Sequence, residues 1–220
     1  MKQGKLIVIE GNDGSGKGTQ LKLLIDYLKK KNIPFEQFDF PQYEKTFFGN
    51  LVRRFLSGEL GRVEKVSPYL AALPFAADRW QVKDKIKAAL NDGKIVICNR
   101  YTPSIVYQLV KVAPAKRREF LQWGKELEYQ VFGLPKEDWV IFLYLPFNFA
   151  QKLIEKRGRG KDEYEKNVAY LKKVEKLYLW LCEKEKNWIK IDCFLKDKIL
   201  CPQTIHQKIL AILKEKAVLP

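Results

Sequence analysis

The sequence predicts an α/β protein with three layers, a mostly parallel sheet of about five strands between two layers of helix. Three observations carry that expectation. Short apolar runs bounded by Gly, Pro, Asn or charge recur along the 220 residues. Stretches with the i, i+3, i+4 spacing of a helix separate them. Several of the runs are almost continuously apolar, as parallel strands covered on both faces must be.

The elements follow in chain order. KLIVIEG (5–11) is the first strand, and Leu21, Leu24, Ile25 and Leu28 then mark one face of a helix. PFEQFDF (34–40) and KIVICNR (94–100) are the second and third strands, and WVIFLYL (139–145) is the fourth. Val168, Leu171, Val174 and Leu177 repeat at helical spacing before the last strand, NWIKIDC (187–193). No internal repeat or low-complexity linker interrupts this order, so residues 1–220 are expected to form one domain. In such sheets ligands bind beyond the carboxyl ends of the strands. The Gly-, Arg- and Lys-rich stretch EKRGRGKDE (155–163) is the one loop whose composition points to function.

Composition narrows the class. A hydrophobic content of 46% supplies a sizeable core. No apolar segment is long enough to span a bilayer and no signal-like run opens the chain, so a soluble, unprocessed, cytoplasmic protein is expected. Cys98, Cys182, Cys193 and Cys201 lie far apart without a CxxC pair, which argues against a zinc ribbon or a redox motif. The net charge of +15 fits either a nucleic-acid face or a site for polyanionic small molecules.

The segment GNDGSGK, Gly11 to Lys17, follows a strand and opens a helix, the setting a phosphate-binding P-loop requires. Gly11, Gly14 and Gly16 let the backbone wrap an oxyanion, with Asn12, Asp13 and Ser15 between them, and the helix N-terminus adds partial positive charge. Lys17 is placed to reach the β- and γ-phosphates. Where the common pattern has a hydroxyl for Mg²⁺, this chain has Gly18, followed by Thr19. The GKGT form resembles that of adenylate kinases, and it implies the P-loop NTPase fold, with ATP bringing in Mg²⁺ through phosphate and water ligands and no protein residue assigned as a direct metal ligand.

Further segments select among nucleoside monophosphate kinases. DFPQYEKTFFGNLVRRFLSGELG (39–61), PFAADRW (74–80), NRY (99–101), FGLPKEDWVIFLYL (132–145) and RGRGKDEYE (157–165) occur in this order. Together they resemble the thymidylate kinase family from Lys5 to about Cys193. The resemblance implies transfer of the γ-phosphoryl group of ATP to dTMP and a homodimer. It implies a lid at about 155–165 in which Arg157, Arg159 and Lys161 close over ATP. It gives Asp13 the acceptor's 3′-hydroxyl, Phe75 a stacking face for the base and Arg79 a thymine carbonyl. Phe75 and Arg79 stand at i, i+4, and spacing alone equally fits a core Phe and a surface Arg. Arg100, just past a strand end, is expected to bridge the transferring phosphoryl group and the acceptor phosphate. Tyr164 and Glu165 match a family pair near the sugar. Tyr101 is placed against the acceptor or in the core.

The chain departs from that pattern in places. Tyr43 stands where many relatives carry an arginine for the acceptor phosphate, a contact open to Arg53 or Arg54 instead. Asn99 replaces an aspartate, leaving Glu10 as the nearest acid for the metal's outer shell, so Asn99→Asp is expected to lower the Mg²⁺ requirement or, if Asn99 hydrogen-bonds the acceptor or Arg100, to draw the guanidinium from the phosphates and lower kcat. Either Tyr107 or Gln108 takes the aromatic position beside the sugar's C2′. A dUMP, dCMP or deoxynucleoside kinase is the alternative, then a nucleic-acid-binding ATPase, which basic residues spread over many helix faces disfavour. His206 is expected to be structural.

Overall fold

The computed structural model describes residues 3–156, 160 and 162–220. Each apolar run contains a strand: β1 (Lys5–Gly11), β2 (Phe35–Asp39), β3 (Ile95–Asn99), β4 (Trp139–Tyr144) and β5 (Trp188–Asp192). They form one sheet in the order β2-β3-β1-β4-β5. Every pairing is parallel. The five strands carry helices on both faces, as the sequence led us to expect.

Side-chain alternation explains the layers. In β1, Leu6 and Val8 point to one face and Ile7 and Ile9 to the other, all fully buried. The Leu6 face joins Val96, Val140 and Phe142 in a core with α2 (Phe47–Leu56), α3 (Pro68–Trp80), α4 (Lys83–Asn91), α5 (Val106–Leu109), α6 (Arg117–Lys125) and α8 (Val168–Lys184). The Ile7 face joins Ile97, Ile141 and Leu143 against α1 (Lys17–Lys30), α7 (Phe147–Lys156) and α9 (Pro202–Glu215). Burying each such aliphatic side chain contributes about 1.5–3 kcal/mol. Both faces apolar is the condition that makes these strands read as continuous runs.

Two local features carry no sequence signal strong enough to be read in advance. A hairpin, β6 (Phe194–Leu195) with β7 (Lys198–Ile199), follows β5 and is too short for periodicity to reveal. The end of α6 widens into a π-helical turn over Glu126–Val131. His206 lies buried in α9, edge-on to Tyr27, in the structural place expected of it. Among the described residues no helix is long and apolar enough to cross a membrane.

Candidate active site

A cleft of about 720 Å³ opens where β1, β2 and β3 end, lined by the P-loop, Asp39 to Pro41, and Asn99 with Arg100. It lies at the carboxyl edge of a parallel sheet, as the fold dictates. α3, α5 and the end of α7 supply its walls.

The P-loop is built by backbone conformation. Gly14 has φ 82°, and a Cβ there would meet the Ala150 carbonyl oxygen at 2.4 Å, so only glycine fits. Gly16, at φ 87°, turns the chain into α1. Asp13, Gly14, Gly16, Lys17, Gly18 and Thr19 face the cleft. Gly11, Asn12 and Ser15 are buried beneath it. Ser15 N donates to the Asn12 carbonyl at 3.1 Å and closes the turn. Lys17 Nζ donates to the carbonyls of Gly11 (2.9 Å) and Asn12 (2.8 Å), folded back over the loop it would leave for a phosphate. Burial and then the Arg100 charge lower its pKa to about 7, against the opposing pull of Asp13, Glu10 and Asp39. A bound phosphate restores the charge, so nucleotide binding above pH 7 is expected to take up a proton. Calorimetry of ADP binding at pH 8, in buffers of differing ionisation enthalpy, measures it; zero uptake would contradict the shift.

Arg100 is the hub. It sits one residue past β3 with φ 63°, a left-handed conformation unusual for a side chain of this size. Its guanidinium is paired with Asp13, donates to Tyr107 Oη at 3.2 Å, and lies 3.7 Å from Glu10. Tyr107 in turn donates to Asp13 at 2.6 Å. Burial raises the Asp13 pKa, but the charges of Arg100 and Lys17 and the hydrogen bonds outweigh it and hold the carboxyl at about 2. Arg100 and Asp13 therefore form a charged, pre-ordered pair between the P-loop and the rest of the cleft.

The other half of the cleft is more apolar. Phe75 and Arg79 both line it from one face of α3, together with Phe40, Leu56 and Ala72. Arg79 is buried and grips Glu128 through Nε (2.6 Å) and Nη2 (2.7 Å). Asp78 accepts from Gln42 N at 2.9 Å and from the Thr46 hydroxyl, which holds the loop after β2 against α3. Tyr107, Gln108 and Tyr164 complete the wall, with Gln108 Nε2 donating to Tyr164 Oη at 2.7 Å. Of the two candidates for the position beside the sugar, Tyr107 is the one on Asp13, and Gln108 holds Tyr164.

Several expectations are corrected. Tyr101 is fully buried in the core, its hydroxyl on the Pro135 carbonyl at 3.0 Å, because the left-handed turn at Arg100 redirects the chain inward. Glu165 is buried and does not line the cleft. Arg54 pairs with Glu59 on the surface, and neither it nor Arg53 reaches the cleft, whereas Tyr43 does. Glu10 is wholly buried and accepts from Tyr101 N (3.2 Å), Ser104 Oγ (2.6 Å) and Tyr178 Oη (2.7 Å), so it braces Arg100 and has no face for a metal. Arg157, Arg159 and Lys161 lie outside the described residues; Lys156, which precedes them in sequence, lines the cleft. Asp39, Glu128 and Tyr178 were missed, because each acts across elements that only the fold brings together.

Asn99 also differs from expectation. Its Nδ2 donates to Asp39 Oδ1 at 2.7 Å across the β2–β3 register, away from Arg100. Asn99→Asp would therefore set two carboxylates side by side. The pair's pKa rises, so the folded state binds more protons than the unfolded one and loses stability as pH rises. We expect a deficit of about 1 kcal/mol at pH 7 that shrinks toward pH 4. Thermal melts of Asn99→Asp and of the swapped Asp39→Asn/Asn99→Asp variant check this, the swap restoring stability.

The donor set fits magnesium carried by a nucleotide. No cluster of His, Cys, Asp and Glu able to hold a metal occurs among the described residues. Thr19 and Asp39 are among the hard-oxygen residues that line the cleft, and a side chain at Gly18 would meet nothing within 4 Å, so that place stays open. Such a site suits a hydrated ion held mainly by phosphates.

A P-loop beside a preformed arginine–aspartate pair and an apolar wall defines a nucleotide phosphotransferase. The family model described as thymidylate kinase matches residues 9–199. A thymidylate kinase from Plasmodium falciparum (isolate 3D7) is 35% identical over 195 residues, covering 89% of this chain and 85% of its own length. A probable thymidylate kinase from Thermococcus kodakarensis is 34% identical over 218 residues, covering 94% and 96%. The solved thymidylate kinase of Candida albicans superposes with a TM-score of 0.77 at 24% identity, covering 98% of this chain and 93% of its own, which shows the shared fold. The chain belongs to the thymidylate kinase family.

Proposed function

We infer that the cleft transfers the γ-phosphoryl group of ATP to dTMP, giving dTDP and ADP for dTTP synthesis. The observation that carries this reading is the position of Arg100, half-buried and paired between the P-loop and the apolar wall. Phosphoryl transfer needs positioning and electrostatic stabilisation more than covalent chemistry, because the acceptor's phosphate oxygen is already a nucleophile.

The residues divide the work as follows. The P-loop N–H groups cradle the donor phosphates, and Lys17 exchanges its carbonyl partners for them. Arg100 offsets charge spreading over the transferring group while Asp13 orients the acceptor sugar through its 3′-hydroxyl. Tyr43 supplies a hydroxyl toward the acceptor phosphate. Phe75 stacks on the base, Arg79 donates to its carbonyl, and Tyr164 closes the sugar side. Magnesium, when bound with ATP, neutralises phosphate charge, with Thr19 and Asp39 the residues placed to hold its water shell. The segment at about 155–165 serves as the lid of this single domain, its Arg157 and Arg159 excluding water over the donor.

Exposed Leu70, Leu73 and Tyr69 on α3 support pairing of two copies as a homodimer. Four free cysteines are consistent with a reducing, cytoplasmic setting. The test of the acceptor half is a split in Michaelis constants. Phe75→Ala and Arg79→Ala are each expected to raise the KM for dTMP about tenfold or more while leaving the KM for ATP within about twofold. Equal effects on both substrates would assign these residues to folding instead.

A further inference from the structure

Arg79 is a reader whose direction is set by another residue. An arginine carries five N–H donors and no acceptor. Glu128 takes the Nε–H and one Nη2–H in a bidentate pair, at 2.6 and 2.7 Å, and both side chains are 4% exposed. No other hydrogen bond from the Arg79 side chain occurs among the described residues, and both Arg79 and Glu128 line the cleft. Glu128 itself is delivered by the π-helical turn Glu126–Val131, a departure from α-helical winding of the kind that often accompanies functional positions. Arg79 also follows Asp78, whose carboxylate is committed to Gln42 and Thr46, so Glu128 is the acid that grips it.

We propose that Glu128 is a specificity-determining positioning residue, fixing Arg79 so that its remaining N–H groups present a donor-only edge to the base. This rests on the acceptor reading given above, in which the base lies on Phe75. A guanidinium held this way cannot turn aside. A base with a carbonyl oxygen at the facing edge completes its hydrogen bonds, as in 4-oxopyrimidines and 6-oxopurines. A base with an amino group there sets donor against donor in a desolvated place and leaves both unsatisfied. The site is therefore selective for oxo bases over their amino counterparts, and the selectivity depends on Glu128 as well as on Arg79.

The pairs dUMP against dCMP and dIMP against dAMP change this edge within one ring system. Steady-state rates with ATP, measured for the wild type, Glu128→Gln and Glu128→Asp, give the ratio of kcat/KM within each pair. The wild type is expected to prefer dUMP over dCMP by about a hundredfold or more. Glu128→Gln, which loses the charge-assisted grip, is expected to lower that ratio about tenfold with the KM for ATP unchanged. Glu128→Asp, which keeps the charge and withdraws it by one methylene, gives a smaller fall and carries the test if the amide variant does not fold. A wild type that uses dCMP as well as dUMP overturns the donor-only edge and leaves phosphotransfer to dTMP standing. A folded Glu128 variant with unchanged ratios overturns the role of Glu128, since a merely structural residue would lower all acceptors together. Absence of transfer to both dTMP and dUMP overturns the acceptor reading and this inference with it.

Discussion

Lys17→Ala is expected to lower kcat by about a hundred- to a thousandfold, the loss seen when one preorganised electrostatic contact to a developing charge is removed. Lys17 is the P-loop's own cation, is 8% exposed, and among the described residues reaches the Gly11 and Asn12 carbonyls and, at 4.0 Å, Asp13. Its ammonium therefore stands ready for phosphate. Alanine also deletes the group whose pKa is lowered to about 7, so proton uptake on nucleotide binding at pH 8 should vanish with it. Glycines of the loop are untouched by the change, and ADP should still bind, more weakly. A variant retaining more than half of the wild-type kcat would show that the loop does not hold the donor phosphates.

Arg100→Gln is expected to be as damaging, about a thousandfold in kcat, equivalent to about 4 kcal/mol of transition-state stabilisation. The glutamine keeps some hydrogen-bonding capacity, so the loss measures charge. It has a second consequence at Asp13. That carboxyl, held at about 2 by Arg100 and Lys17 against its own burial, contributes stability present above the unfolded pKa of about 4 and lost as pH falls toward 2. Without Arg100 its pKa rises, and the acid limb of the kcat profile should move to higher pH. Melting temperature against pH, taken alongside the rate profile, reports both. A variant with an unaltered acid limb and a small loss of rate would place Arg100 outside the chemistry.

Much of this was legible from the sequence because it is periodic or local. Strands buried on both faces announce themselves as apolar runs, and each of the runs at 5–11, 34–40, 94–100, 139–145 and 187–193 holds one. The P-loop is a contiguous string whose glycines have a backbone reason to exist. Phe75 and Arg79 were readable as one helix face, and both line the cleft. What escaped the sequence is non-local or aperiodic. The Arg79–Glu128 pair spans a sequence separation of 49 and depends on a π-helical turn that no apolar spacing marks. The Asn99–Asp39 contact depends on strand register between β2 and β3. Tyr101 was left open between acceptor and core because strand alternation stops at a left-handed Arg100, a backbone event hidden in an ordinary NRY string.

The central claim is that one cleft joins a donor P-loop to a thymine-nucleotide acceptor through Arg100. The most direct measurement is a coupled ADP-release assay with ATP and Mg²⁺, run without acceptor and with dTMP, dUMP, dCMP and single-stranded DNA in turn. The expected result is negligible release without acceptor, the highest kcat/KM with dTMP, and no stimulation by DNA. Release that is independent of dTMP, or that DNA stimulates and salt suppresses, would contradict the account.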